Sequence, residues 1–199
     1  GIGGWAVEVE CAKQDLHSGV YGGTVHEAMT DLISLMGTLV EPSGKIKIEG
    51  IYDHVDPVTE QEEEIYKNID FDINAYAESI GGNLMHKTKE LTLQHRWRQP
   101  SLSLHGIEGA FYEPGEKTVI PRKVIGKFSI RIVPSLTGKI VAKLVQDHFD
   151  REIKKLNSPN KITLSTPEID DYWVGDVNNY LFEAGKRATK MVYNIEPDL

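Results

Sequence analysis

Apolar and polar side chains alternate in three segments of the chain, residues 5–11, 102–107 and 123–133. This is the period of a strand that buries one face, because successive side chains point to opposite sides. In the first segment Trp5, Val7 and Val9 take the buried positions. A fourth strand is predicted over residues 161–165.

Two longer stretches repeat apolar residues every three or four positions, which predicts amphipathic helices. The first is expected to begin at Thr24, because Thr24 and Glu27 have the spacing of a capping box. The second is expected to follow Thr137 and to run to about residue 156. The apolar stripe of the first helix consists of Val25, Ala28, Met29, Leu32, Ile33, Met36 and Leu39.

Residues 45–100 are predicted as a mainly helical insert, with a short strand at Ile46 and Ile48 and an acidic helix after Thr59. Two further helices are expected, over residues 73–80 and 87–97. Removing the insert leaves the order strand, helix, strand, strand, helix, strand. That is the order of a ferredoxin-like split βαβ unit, an α+β fold whose four-stranded antiparallel sheet carries two helices on one face.

The ferredoxin-like unit accounts for residues 1–170. A further amphipathic helix over residues 178–192 begins after that unit has closed. Residues 171–199 are therefore expected to begin a different domain.

Composition limits the classes of partner. Hydrophobic residues make up 40% and charged residues 26% of the 199 residues, which supports a packed core. The net charge of −8 argues against a nucleic-acid partner, since a phosphate backbone is bound mainly by clustered lysines and arginines. No run of about 18 apolar residues occurs, so no membrane span is predicted. The single cysteine favours a reducing compartment such as the cytoplasm. The abrupt ends predict a fragment of a longer protein.

The seven histidines do not have the spacing of metal ligands. Neither a His-Glu-x-x-His pattern nor a Cys-x-x-Cys pair occurs, so no metal site wholly within this chain is predicted. His148 lies on an apolar helix stripe and is expected to be a core residue. Ser18 lacks a base and an acid at recognisable spacing, which argues against a nucleophilic role.

Two residues, His17 and Arg131, have two interpretations on pattern alone. His17 lies in a glycine-rich loop, where functional side chains are common, although most surface histidines have no chemical role. Arg131 is compatible with two roles. Its aliphatic stem can cover apolar surface, or its guanidinium can bind a carboxylate through two hydrogen bonds. Thr118 fits an ordinary turn.

Three collinear motifs together resemble the carnosinase and cytosolic non-specific dipeptidase family. They are DLHSGVYGG at 15–23 with HEAM at 26–29, HRWRQPSLS at 95–103 with HGIEG at 105–109, and TVIPRK at 118–123 with GKFSIR at 126–131.

The resemblance implies a homodimeric metallopeptidase that hydrolyses dipeptides with two zinc or manganese ions. The ions would lie in a catalytic domain outside this chain, and the chain would be the lid that forms the dimer. His17 would stabilise the oxyanion in the partner subunit, while Arg131 and Thr118 would bind the C-terminal carboxylate of the substrate. The family places a histidine just before Tyr172, and residues 167–171 contain none. A non-enzymatic module of the same fold that binds a regulatory small molecule is the alternative.

Overall fold

The computed structural model describes residues 1–165 and 169–198. Their contacts define two compact units, one comprising Gly1–Val55 and Pro100–Tyr172, the other comprising Asp56–Gln99 and Trp173–Leu199. The strands are β1 (Ile2–Glu10), β2 (Leu16–His17), β3 (Ser101–Glu108), β4 (Val119–Ile120), β5 (Lys123–Arg131) and β6 (Lys161–Ser165). The helices are α1 (Ser18–Tyr21), α2 (Ala28–Met36), α3 (Glu60–Asn68), α4 (Ile73–Ile80), α5 (Lys89–Trp97), α6 (Gly138–Leu156) and α7 (Tyr180–Tyr193).

The first unit is built on a four-stranded sheet in the order β3-β5-β1-β6, with every neighbouring pair antiparallel. β1 and β5 pair along their whole length, from Ile2 opposite Arg131 to Glu10 opposite Lys123. With α2 and α6 packed on the sheet, this is the predicted ferredoxin-like arrangement. The predicted fold class is confirmed.

The core lies between the sheet and the two helices. Phe128 on β5 stacks on Trp5 of β1 with ring centroids 5.4 Å apart, and on Phe149 of α6 at 5.8 Å. All three side chains are buried, so this column joins two strands and a helix. Gly126 lies beside them, and a Cβ there would come within 2.8 Å of Leu32 on α2. The glycine therefore allows α2 to approach the sheet closely.

The predicted start of the first helix was wrong. α2 begins at Ala28, and its N-cap Glu27 makes no side-chain capping bond. The Thr24 hydroxyl instead donates to the carbonyl of Tyr21 at 2.6 Å, so it is engaged in the preceding turn. The predicted strand at Ile46 and Ile48 is reduced to a single bridge, Val40 to Ile46. Both isoleucines are buried in the core, which explains their apolar pattern without a strand.

The helices of the second unit begin at side-chain caps, and the first of them follows Thr59 as predicted. Thr59 and Glu62 form a complete capping box at the start of α3, and Thr88 caps α5. Arg98 joins the two helices, donating from Nε to Glu62 at 2.7 Å and from a terminal nitrogen to the carbonyl of Asp56 at 3.2 Å. The hydrogen bond from Arg98 lowers the pKa of Glu62 below its ordinary value.

None of the described helices is both long and apolar enough to cross a membrane. The histidine-free segment 167–171 falls partly on residues 166–168, which lie outside the described residues.

His148 is a buried polar residue of α6, as its place on the apolar stripe predicts. Its Nε2 lies 2.9 Å from Oγ1 of Thr38, and that hydroxyl donates to the carbonyl of Leu35. The imidazole must therefore supply the proton between His148 and Thr38. Burial lowers the pKa of His148. The carboxylate of Glu152 opposes this shift, whereas Arg151 and Lys155 act in the same direction as burial, and the net pKa is lowered.

The lowered pKa of His148 predicts a loss of stability in mild acid. The unfolded chain takes up a proton at this histidine as the pH falls through about 6.5, whereas the folded chain does so only at lower pH. The free energy of unfolding should therefore fall between pH 7 and the lowered folded-state pKa. Urea denaturation at several pH values measures the slope of the free energy of unfolding against pH. His148→Asn, which keeps a donor but does not titrate, should have a shallower slope, and equal slopes would contradict the assignment.

Candidate functional site

His17 and Thr118 meet through a small two-stranded sheet, although 101 residues separate them in sequence. β2 and β4 pair so that His17 lies opposite Val119 and Leu16 lies opposite Ile120. The backbone N–H of Ser18 adds a bond to the carbonyl of Thr118 at 3.2 Å. The two side chains are thus brought together by backbone pairing, and both remain exposed to solvent.

The His17 ring has a hydrogen-bond contact at each nitrogen. Nδ1 accepts from the backbone N–H of Gly19 at 3.0 Å, and Nε2 lies 3.3 Å from Oγ1 of Thr118. This arrangement places an imidazole and a hydroxyl side by side on an accessible surface. Such a pair can offer hydrogen-bond donors to an anionic group.

The loop that carries His17 is tied at its base. The carboxylate of Asp15 accepts from the backbone N–H of Arg122 at 2.9 Å, and the N–H of Cys11 donates to the carbonyl of Arg122 at 2.8 Å. The Cys11 thiol also donates to the carbonyl of Pro121. These bonds hold the loop after β1 against the segment before β5, so His17 and Thr118 share one scaffold.

Arg131 lies at the other end of the sheet. It is the last residue of β5, opposite Ile2 on one side and Ser101 on the other, and it is exposed. Its guanidinium has no ion-pair partner among residues 1–165 and 169–198. Because Arg131 is exposed, its guanidinium is accessible to a carboxylate, which is one of the two roles that the sequence pattern allows.

The length of β5 separates Arg131 from the His17–Thr118 pair. The pair lies beyond the end of the sheet where Lys123 begins β5, and the eight residue steps from Lys123 to Arg131 span about 26 Å. A dipeptide spans about 7 Å when extended. One dipeptide therefore cannot contact His17 and Arg131 of the same chain.

The described part of the chain does not provide a metal centre. No group of three or more His, Cys, Asp or Glu side chains within it is arranged to hold a metal ion. His86 and His95 form a stacked pair in the second unit, with ring centroids 3.8 Å apart. Burial lowers the pKa of His95, and the charge of His86 does so further. Two stacked imidazoles do not make the ligand set that a dinuclear centre requires.

The structure brings together two of the three predicted residues, His17 and Thr118, and places Arg131 apart from them. The resemblance had assigned Thr118 to the substrate carboxylate, whereas its contact with His17 follows from strand pairing that no local spacing reveals. The role of Gly19 as the donor to His17 was also missed. Its position two residues after a histidine is the only signal the sequence offers, and it is a weak one.

Comparison with known families shows what the chain is similar to. Residues 1–157 match the model of the peptidase dimerisation domain. Among curated proteins, the Cys-Gly metallodipeptidase of Schizosaccharomyces pombe is 48% identical over 193 residues, covering 96% of this chain. The human Beta-Ala-His dipeptidase is 48% identical over 194 residues, covering 97% of it. The chain spans 40% and 38% of the length of these two relatives.

Solved structures show the same likeness in three dimensions. A dipeptidase from Saccharomyces cerevisiae superposes with a TM-score of 0.94 at 46% identity, covering 99% of this chain and 41% of that one. Human carnosine dipeptidase 1 gives a TM-score of 0.93 at 47% identity, covering 100% and 42%. A metallo-carboxypeptidase from Sulfolobus solfataricus gives 0.84 at 28% identity, covering 99% and 44%.

Proposed function

Because the chain belongs to the peptidase dimerisation domain family, we propose that it is the lid and dimerisation region of a metal-dependent dipeptidase. The observation that carries this proposal is the His17–Thr118 pair, an accessible set of hydrogen-bond donors built by two of the three motifs that resemble the dipeptidases. The relatives that match nearly the whole chain are named as dipeptidases, which favours this function over a regulatory small-molecule module.

The proposed enzyme is divided between this chain and the rest of the protein. Residues 1–170 form the lid, with an insert over about 45–100, and residues 171–199 begin the return into the catalytic domain. Two divalent ions, zinc or manganese, are bound by that catalytic domain, since the described residues here do not provide a site. When bound there, such ions would supply an activated water and would polarise the peptide carbonyl. The location proposed for the enzyme is the cytoplasm.

His17 is proposed to stabilise the oxyanion of the tetrahedral intermediate. A donor already held in place before the reaction is worth roughly 3–4 kcal/mol of barrier. The strand pairing of β2 with β4 and the Asp15–Arg122 bond supply that preorganisation. His17 is therefore expected to act on the transition state more than on substrate binding.

Arg131 and Thr118 are proposed to bind the substrate's C-terminal carboxylate. A guanidinium can hold a carboxylate through two parallel hydrogen bonds. Because about 26 Å of strand lies between Arg131 and the His17–Thr118 pair, one site must combine Arg131 of one subunit with His17 and Thr118 of its partner. This separation supports the proposal that His17 acts on the partner subunit.

The dimer is proposed to form through the outer edge of β3. That strand ends the sheet order, and its outward backbone groups can pair with a second copy of the same strand. Leu104 and Ile107 stand opposite the buried Phe128 and Gly126, so they lie on the helix-bearing face. They remain 46% and 39% exposed, which leaves an apolar border along this edge.

α2 extends the same apolar border. Asp31 on this helix accepts hydrogen bonds from Ser158 and Asn160, which precede β6, so the Asp31 side of α2 faces the β6 edge. Ile33 is two residues from Asp31, about 200° around the helix, and therefore faces the β3 edge. It is 52% exposed. An edge strand with a flanking apolar helix is self-complementary about a two-fold axis.

Replacing His17 tests the catalytic role. In the complete enzyme His17→Ala should lower kcat by about 10²–10³-fold, because the transition state loses one preorganised donor. Steady-state kinetics with bound metal measured in parallel provides the check. Metal content and the Michaelis constant should change little. Normal turnover in this variant would show that the proposed function of His17 is wrong.

Replacing Arg131 tests the carboxylate contact. Arg131→Met should raise the Michaelis constant for free-acid dipeptides by about 10–100-fold, since a hydrogen bond to a charged group contributes about 1.5–3 kcal/mol. C-terminally amidated dipeptides are the comparison substrates. They should be hydrolysed by the variant and the wild type with similar constants, and an equal loss on both substrate types would contradict the assignment.

Introducing a charge at the β3 edge tests the dimer surface. Leu104→Asp and Ile33→Glu should each shift the enzyme from dimer toward monomer, because an unpaired carboxylate would be buried at the interface. Sedimentation velocity measures the change. Thr163→Glu, on the opposite edge strand β6, places the same charge on an exposed position and should leave the dimer intact. Dissociation by the β6 variant alone would assign the interface to the other edge.

A further inference from the structure

We propose that Gly19 is a positioning residue that fixes His17 as a hydrogen-bond donor and prevents it from acting as a base. This inference rests on the proposed function, because it describes how His17 performs its role in the reaction. It assigns that positioning to a residue which makes no contact with substrate.

The backbone N–H of Gly19 determines which ring nitrogen of His17 carries the proton. A backbone amide only donates, so Nδ1, at 3.0 Å from it, must be the unprotonated nitrogen. In the neutral imidazole the proton then resides on Nε2. That N–H is directed at Oγ1 of Thr118, 3.3 Å away.

The missing side chain of Gly19 gives the ring its position. A Cβ on this residue would lie 2.9 Å from Cε1 and 3.2 Å from Nδ1 of His17. The imidazole therefore rests directly over the glycine, and any side chain there would displace it. Two features of Gly19 therefore determine the position of the His17 ring: its N–H binds Nδ1, and the absence of a Cβ leaves room for the imidazole.

The bond to Thr118 orients a second donor. When Oγ1 of Thr118 accepts from Nε2 of His17, its own proton is directed away from the ring. The resulting chain runs from the Gly19 amide through the imidazole to the Thr118 hydroxyl, with every donor pointing the same way. Hydrogen bonds aligned in this manner polarise and strengthen one another.

This arrangement leaves neutral His17 with no free lone pair. Nδ1 is occupied by the Gly19 amide and Nε2 already carries a proton, so the ring cannot accept a proton from a water nucleophile. Neutral His17 therefore cannot act as a general base. Its one N–H, at Nε2, makes a long contact of 3.3 Å with Thr118, so this N–H can be shared with an oxyanion placed beside the hydroxyl.

The test combines a spectroscopic reading of the tautomer with kinetics. Gly19 is the second residue of α1, where proline is tolerated but supplies no N–H, so Gly19→Pro removes the bond and adds bulk. Gly19→Ala keeps the N–H and adds only the Cβ. Gly23→Asn is the matched control from the same loop, because its φ of +77° suits asparagine and its surroundings are open.

Long-range ¹H–¹⁵N spectra of this chain at about pH 8, with His17→Ala to assign the signal, should show one Nε2–H tautomer in the wild type and in Gly23→Asn. Gly19→Pro should give averaged shifts from both tautomers. In the complete enzyme kcat of Gly19→Pro should fall about 10²-fold, since a displacement of about 1 Å at a catalytic group has an effect of that size. The kcat of Gly19→Ala should lie between the values of Gly19→Pro and the wild type. The Michaelis constant of both variants should change little.

Averaged tautomers in the wild type would overturn the inference, and so would wild-type turnover in Gly19→Pro. If His17→Ala lowers turnover while Gly19→Pro does not, the proposed function stands and the positioning role of Gly19 fails. If His17→Ala leaves turnover unchanged, the proposed function of His17 is wrong, and the positioning role of Gly19 is wrong with it. Loss of dispersed amide signals in Gly19→Pro would indicate unfolding, in which case Gly19→Ala decides the outcome.

Discussion

The antiparallel pairing of β1 with β5 is the constraint on which the rest of the first unit depends. Nine residues of each strand face each other without a shift in register. One face of this ladder presents Trp5 and Phe128, whose stacked rings receive Phe149 from α6. A slip of one residue would turn these rings away from the helices. The His17 loop, proposed to stabilise the oxyanion, lies at one end of the ladder, and Arg131, proposed to bind the substrate carboxylate, lies at the other.

A rigid ladder also explains why the proposed site is shared between subunits. Strands in a packed sheet do not shorten, so the distance between the two ends is fixed by the number of residues in β5. Within one chain, the groups proposed for the oxyanion and for the substrate carboxylate stay too far apart for a dipeptide. A two-fold dimer can bring the ends of different chains together twice, which makes dimerisation part of the proposed chemistry and not only of stability.

The sequence predicted the fold well because the buried positions follow strand and helix periods. The alternation at Trp5, Val7 and Val9 and the capping residues Thr59 and Thr137 are local signals, and the structure follows them. The start of α2 was missed because the Thr24 hydroxyl serves the preceding turn. The contact of His17 with Thr118 arises from pairing between segments about 100 residues apart, which no local pattern encodes. The contact of Gly19 with the His17 ring is local, but a glycine two residues after a histidine is too common a pattern to predict it.

The separation of Arg131 from His17 has a consequence for inheritance. With the proposed roles, a subunit that lacks His17 and a subunit that lacks Arg131 would each be defective in a dimer of their own kind. In a mixed dimer, one site combines the intact His17 of one chain with the intact Arg131 of the other, while the second site lacks both. Two alleles of this gene, altered at opposite ends of the same strand ladder, would therefore complement each other: every mixed dimer would keep one of its two sites, which amounts to about a quarter of the normal number of sites when the chains pair at random.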